Sequence, residues 1–335
     1  MTDYNNLNVT NRGNKYDRRP RYKRRKNNSI TPKLIFFFCL LAVVTTSVLK
    51  LGFNIRHKNS GGGERKEENV IELMAKGGQG IIDAIKDSDD LKELKDKDYP
   101  DSLVRLYKRN KEAREFVLNY ESHMESDLDE EGYVEKPKSV NISEDMEKLE
   151  KGDIPLFLQW DERWGYSKYG DDFMALNGCG PTCLSMVYCG LTGHMKYNPY
   201  KLAKLADKRG YYVDGAGSSW NMMVDLAYEI GLDASNISAD SEVISNYLSE
   251  GYPIICIMGP GDFTNSGHFI VLTGMDEDGK VKVNDPNSIE NSQKSWDLEE
   301  LVPQIKNLWV YRYGQEEYME DDYSIYEDEF VEEFE

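Results

Sequence analysis

Cys179 stands between Gly178 and Gly180 and is followed by Pro181, Thr182 and the apolar run Cys183-Leu184-Ser185-Met186. Proline suits the first position of a helix, where its missing N–H costs nothing, so a helix is expected from Pro181 to near Gly190. A thiol just ahead of a helix N-terminus meets unpaired backbone N–H groups and the positive end of the helix dipole, and both favour the thiolate. The flanking glycines leave room for a substrate backbone to approach. A nucleophilic thiol also needs a base, a third group to orient that base, and donors for the oxyanion.

The chain has four histidines. His57 adjoins an apolar N-terminal segment, His123 lies in an acidic approach, and His194 sits in a turn after the nucleophile helix. His268 opens Gly267-His268-Phe269-Ile270-Val271, where an uninterrupted apolar strand follows a glycine, and it is the candidate base. The next strand ends in Val283-Asn284-Asp285-Pro286-Asn287. Two antiparallel strands joined by a tight turn bring their far ends side by side, so Asp285 can lie next to His268. An Asp-Pro step also initiates turns, and Asp285 can serve both roles.

These residues must be placed by the elements around them. Helical patterns recur at 199–208, 218–230 and 241–249, with Gly210, Gly231 and Gly251 as stops. Strands follow at 253–258, 268–273 and 280–285, the last two joined by Asp276-Glu277-Asp278-Gly279. A helix over 298–305 and a strand over 308–313 close the pattern. Helices first and an antiparallel sheet afterwards make an α+β domain over 152–313.

Gly178-Cys179-Gly180-Pro181-Thr182, Gly267-His268-Phe269-Ile270-Val271-Leu272 and Asn284-Asp285-Pro286-Asn287, in that order, resemble the papain-like cysteine peptidases. The resemblance is to the bacterial double-glycine-leader (bacteriocin-processing) peptidases, cysteine peptidase family thirty-nine, and their broader "like" group. It covers about half the chain, and Leu158-Gln159-Trp160-Asp161-Glu162-Arg163-Trp164 is similar to the lead-in of the "like" group. It implies a papain-like fold, with a helical part bearing the nucleophile and a sheet bearing the base. It also implies Cys179 as nucleophile, His268 as base, Asp285 as orienter and Gln159 as an oxyanion donor. Gln159 lies 20 residues before Cys179, so the loop over 165–177 must fold back for it to reach the site. The expected reaction is peptide-bond hydrolysis through a thioacyl-enzyme, on a peptide or protein substrate. The same triad also allows cleavage of a cell-wall peptide amide or acyl transfer, and an inactive binding module could keep the fold. Cys183 and Cys189 are expected as small buried core thiols; Trp160, Trp164 and Trp220 can line a cleft or fill the core.

Charge divides the rest of the chain. The first 33 residues carry ten Lys/Arg against Asp3 and Asp17, and Leu34 to Phe53 follow as an apolar stretch of about 20 residues, enough to span a bilayer. A cleavable signal would have a shorter apolar core and a small-x-small site, which Val44-Thr45-Thr46-Ser47 fits poorly. The expected arrangement is a basic cytoplasmic tail (1–33), a single transmembrane helix (34–53), and a polar, partly helical stalk with a docking helix (54–151). The 152–313 domain and an acidic tail (314–335) complete it, with everything after the anchor outside the cell by the positive-inside rule. The resemblance to bacterial peptidases implies a Gram-positive cell membrane. Within the stalk, Ser102 can cap a helix whose apolar stripe runs through Leu103, Leu106, Phe116 and Val117. The net charge of −19 argues against a nucleic-acid partner for the body of the protein. No zinc-spaced Cys/His pair, phosphate loop or dinucleotide fingerprint is present in the sequence, so neither metal nor cofactor is expected.

Overall fold

The computed structural model describes residues 86–123, 128–129, 131–150 and 152–314. The expected cytoplasmic tail, the 34–53 span, the first part of the stalk and the tail after Gly314 lie outside the described residues. Among the described residues, no helix is long and apolar enough to cross a membrane.

After helical residues over 86–96 come two helices, α1 (Asp101–Arg109) and α2 (Arg114–His123), then a short α3 (Ser143–Glu147). Two-residue strands β1 (Lys168–Tyr169) and β2 (Asp172–Phe173) form a small hairpin that leads into α4 (Met174–Asn177) and α5 (Cys179–Thr192). Next come α6 (Pro199–Lys208), a second small hairpin of β3 (Tyr212–Val213) and β4 (Gly217–Ser218), and α7 (Met222–Glu229). The main sheet is built from β5 (Leu232–Asn236), β6 (Ile254–Met258), β7 (His268–Met275), β8 (Val281–Asn284), β9 (Ser295–Trp296) and β10 (Ile305–Tyr313). Between them lie α8 (Ser241–Ser249), α9 (Ile289–Gln293) and α10 (Leu298–Leu301). The strand order is β5-β10-β6-β7-β8-β9, antiparallel throughout. The architecture is therefore the expected mix of helices and antiparallel sheet.

The sheet is covered on both faces, which is why β6 reads Ile-Ile-Cys-Ile-Met with every residue buried. Ile255, Ile257, Phe269, Val271, Trp309 and Tyr311 share one core with α5, α6 and α7. The alternate residues Ile254, Cys256, Ile270, Leu272, Val281 and Val283 share another with α8 and α10. Helix α5 is apolar all round, buried from Gly180 through Cys189, and so becomes the central helix of its layer. It stops at Gly193, whose φ of 71° is the left-handed cap that glycine adopts without strain. Helix α6 begins as expected, because the Asn198 side chain accepts from Lys201 N–H and Pro199 takes the first position.

Several boundaries differ from expectation for local reasons. Ser218 is paired with Tyr212 in the β3–β4 hairpin, so α7 begins at Met222. The expected 298–305 helix ends early in a 3-10 turn at Val302–Gln304, and Ile305 already belongs to β10. Ser102 lies inside α1 instead of capping it, and Pro100 takes the cap position. The apolar stripe of residues 103–117 is broken at Asn110, whose Oδ1 accepts from the N–H groups of Glu112 and Ala113.

Helices α1 and α2 fall in the span expected as a stalk with a docking helix. Leu103, Leu106, Tyr107, Phe116, Val117 and Tyr120 share a core with Tyr166, Phe173 and Ala175, just ahead of Cys179. Phe116 stacks on Tyr166 at 4.1 Å between ring centroids, and the Tyr166 hydroxyl donates to Phe116 O at 2.6 Å. Replacing Phe116 with alanine should cost about 3–5 kcal/mol in chemical denaturation. That loss should fall on a single transition reported equally by α2 and by the sheet; separate melting of α1 and α2 would contradict a shared core.

Candidate active site

Helix α5 presents Cys179 as its first residue, with Gly178 at the N-cap. The helix thus starts two residues earlier than Pro181 suggested, and the proline occupies its third position. That is allowed because the first four N–H groups of a helix have no partner within it, so the missing donor still costs nothing. The thiol stands in the first turn itself.

The two glycines do a different job from the one expected. A Cβ at Gly178 would stand 2.5 Å from Met174 O, and one at Gly180 would stand 2.6 Å from Ser218 Oγ. Both spaces are filled by protein, not left for substrate. Gly180 lets the β3–β4 hairpin press on the start of α5, where the Ser218 Oγ is also paired with the buried Tyr169 hydroxyl at 2.7 Å.

His268 is the first residue of β7, and Asp285 directly follows β8. Val271 pairs with Asn284, so residue 285 extends past the strand toward the His268 end of its neighbour. His268 Nε2 and Asp285 Oδ1 are 2.7 Å apart, with both side chains buried. Asp285 Oδ1 also accepts from Asn287 N–H at 2.8 Å, and Oδ2 accepts from Asn291 Nδ2 at 2.8 Å. The Asp285 N–H donates to Ser292 Oγ.

The electrostatics follow from these contacts. Burial pushes the His268 imidazole down, but the Asp285 charge and hydrogen bond, with a further hydrogen bond to Cys179, lift it to about 10. Burial likewise pushes Asp285 up, and the His268 charge, the hydrogen bonds from His268 and Asn291, and the Asn287 N–H together hold it below the usual carboxylate value. For Cys179, burial raises the thiol. The His268 hydrogen bond and charge, aided by the Phe269 and Gly180 backbone, outweigh it and leave the thiol below its ordinary value. Cys183, Cys189 and Cys256 are pushed up by burial, Cys189 to about 12. Of these four cysteines, Cys179 is the one placed to be a thiolate. With His268 Nε2 engaged by Asp285, Nδ1 is the nitrogen left for the sulfur.

Gln159 reaches the same region. Its backbone N–H donates to Pro286 O at 2.7 Å, and its Nε2 donates to Ala175 O, in α4, at 2.7 Å. The fold-back required of residues 165–177 is the β1–β2 hairpin. One Nε2 hydrogen remains after the Ala175 bond, and the buried Oε1 has no protein partner. Trp164 is a core residue with its indole N–H on Leu158 O, whereas Trp160 is half-buried and donates to Asn287 O. Trp220 is 44% exposed. His194 is exposed beyond the far end of α5, and His123 packs on Tyr166, so neither joins the site. Asn291, Ser292 and Tyr169 were not expected from the sequence. The Asp-Pro-Asn run pointed to the loop but carried no signal for a carboxamide six residues beyond the carboxylate.

Residues 151–317 match the model of the Peptidase_C39 like family. Two solved structures are similar. One is the peptidase domain of Streptococcus ComA, a bifunctional ABC transporter involved in a quorum-sensing pathway. It is 22% identical, with 42% of this chain and 93% of that one covered and a TM-score of 0.31. The other is a double-glycine-motif protease from an AMS/PCAT transporter in complex with the leader peptide. It is 17% identical, with 50% and 96% covered and a TM-score of 0.33. No curated protein matches the chain.

Asp285→Asn removes the charge that supports the imidazolium, which in turn supports the thiolate. The ionisation of Cys179, followed as its alkylation rate by iodoacetamide against pH, should move to higher pH by about one pH unit or more. An unchanged profile would show that the three groups do not titrate together.

Proposed function

Residues 151–317 form a domain of the C39-like cysteine peptidases, and from that premise we propose that Cys179, His268 and Asp285 are the catalytic triad, acting on a peptide or protein chain. The observation that carries this reading is the buried His268–Asp285 pair, 2.7 Å apart, with the imidazole raised by Asp285 and the neighbouring Cys179 thiol lowered by His268. His268 Nδ1 holds the proton that leaves Cys179, and the sulfur attacks the scissile carbonyl carbon. The negative charge that develops on the carbonyl oxygen is met by the Cys179 N–H at the start of α5 and by the remaining Nε2 hydrogen of Gln159. The imidazolium then passes its proton to the leaving nitrogen as the C–N bond breaks, giving an amine and a thioacyl-enzyme. A water molecule gives its proton to His268, attacks the thioester carbon and releases the acid, and Cys179 regains a proton shared with His268. Asp285 holds the ring in register and stabilises its charge throughout.

The same reading places the enzyme outside the cell, tethered by residues 34–53, with the N-terminus in the cytoplasm. The support is the apolar length of that segment and the ten Lys/Arg before it. A peptide within the cell envelope, including cell-wall peptide, fits this location.

Cys179→Ala should abolish hydrolysis of a peptide library read by mass spectrometry, and retained cleavage at the same bonds would refute the assignment. Gln159→Ala should lower kcat by about 10²–10³ with little change in KM. Because protonation of the leaving nitrogen needs the imidazolium, the alkaline limb of kcat should lie well above the ordinary histidine value of about 6.5. In whole cells, an external protease should digest the 152–313 domain while residues 1–33 stay protected; the reverse pattern would contradict the orientation.

A further inference from the structure

The elbow between α1 and α2 lies outside the residues that match the family, yet it grips the loop that carries Asp285. Asn110 Nδ2 donates to Asn287 O at 2.8 Å and to Asn287 Oδ1 at 3.0 Å. The Glu112 carboxylate accepts from Ser288 Oγ and Ile289 N–H, both at 2.6 Å, and from Glu290 N–H at 3.3 Å. It thereby caps α9 from another part of the chain, next to the helix's own cap, Ser288. Helix α9 in turn supplies Asn291 to Asp285 Oδ2 and Ser292 to the Asp285 backbone. The elbow is itself stiffened, because Asn110 Oδ1 takes the N–H groups of Glu112 and Ala113.

We propose that Asn110 and Glu112 are positioning residues for the reaction: through α9 and the Asn287 carbonyl they fix Asp285 against His268, so that the two helices before the peptidase domain are a working part of the enzyme. Neither residue touches a reacting atom. A helix of five residues has little stability of its own, since forming the first turn costs more than its hydrogen bonds return. Its order must come from outside contacts, and Glu112 supplies three of them. This inference rests on the catalytic reading of Cys179, His268 and Asp285.

The test uses the full-length protein with Glu112→Ala, which removes the acceptor of Ser288 Oγ and of the Ile289 and Glu290 N–H groups, and separately Asn110→Ala. Hydrolysis and alkylation of Cys179 by iodoacetamide at neutral pH are both measured per folded molecule, with the folded fraction taken from near-ultraviolet circular dichroism. Both variants should lose kcat by between about tenfold and 10²-fold, as small misplacements at a catalytic group do, with KM kept. Alkylation should slow alongside kcat. Wild-type kcat and alkylation per folded molecule would overturn the proposal, because a purely structural role changes only the folded fraction. On the unaltered protein, amide exchange at Ile289 and Glu290 should be as slow as in β7, and fast exchange there would overturn it without any variant. The catalytic reading fails separately: wild-type Cys179 would then alkylate no faster than Cys179 in a His268→Ala variant, whatever residue 112 is.

Discussion

The hydrogen bond between His268 Nε2 and Asp285 Oδ1 is buried, its carboxylate almost wholly shut off from solvent, and most of the surrounding structure serves to make that tolerable. A buried carboxylate is costly unless its oxygens are met and its charge is paired. Asp285 receives an imidazole N–H, a backbone N–H and a carboxamide, which occupy both oxygens. The charge so stabilised raises the affinity of His268 for a proton, and a protonated His268 lowers the thiol of Cys179. The state of the sulfur therefore depends on a carboxylate that acts on it through His268.

Three separate layers hold that unit. The β7–β8 register sets His268 and Asp285 beside one another, and the packing of α5 on β7 brings the thiol to the ring. Pro286 O accepts from Gln159 N–H, while the Gln159 side chain bonds to Ala175 in α4, so one residue links the lead-in, the aspartate loop and the turn before Cys179. The α1–α2 elbow closes the far side of the loop through Asn110 and Glu112. The region N-terminal to the peptidase domain thus shares a core with it and also reaches its most sensitive carboxylate.

How much of this was legible in the sequence depended on whether a residue's role is set by its own chemistry or by its neighbours in space. Cys179, His268 and Asp285 could be picked out as candidates because a thiol nucleophile, its base and an orienting group each demand a particular residue type at an element boundary, and the structure brings His268 and Asp285 to 2.7 Å. The long elements α6 and α8 had their bounds written in capping residues and glycine stops. The two-residue hairpins left no period to read, so the route by which Gln159 returns to the site was hidden. The start of α5 was misplaced because proline is as harmless at the third position as at the first. The elbow at Asn110 lay inside a continuous apolar stripe, and only the habit of asparagine side chains of bonding backbone N–H groups two or three residues on could have marked it. The capping of α9 by Glu112 joins residues 176 and more positions apart and has no local signature.

The claim on which everything else rests is that His268 is kept protonated by Asp285 in the resting enzyme. Nuclear magnetic resonance of the protein with nitrogen-15-labelled histidine, with His268 assigned by its absence from a His268→Ala spectrum, reads this directly. The account predicts both ring nitrogens of His268 protonated at neutral pH, releasing a proton only well above the ordinary histidine value of about 6.5. A neutral His268 ring at neutral pH, or one titrating at or below that value, would contradict it.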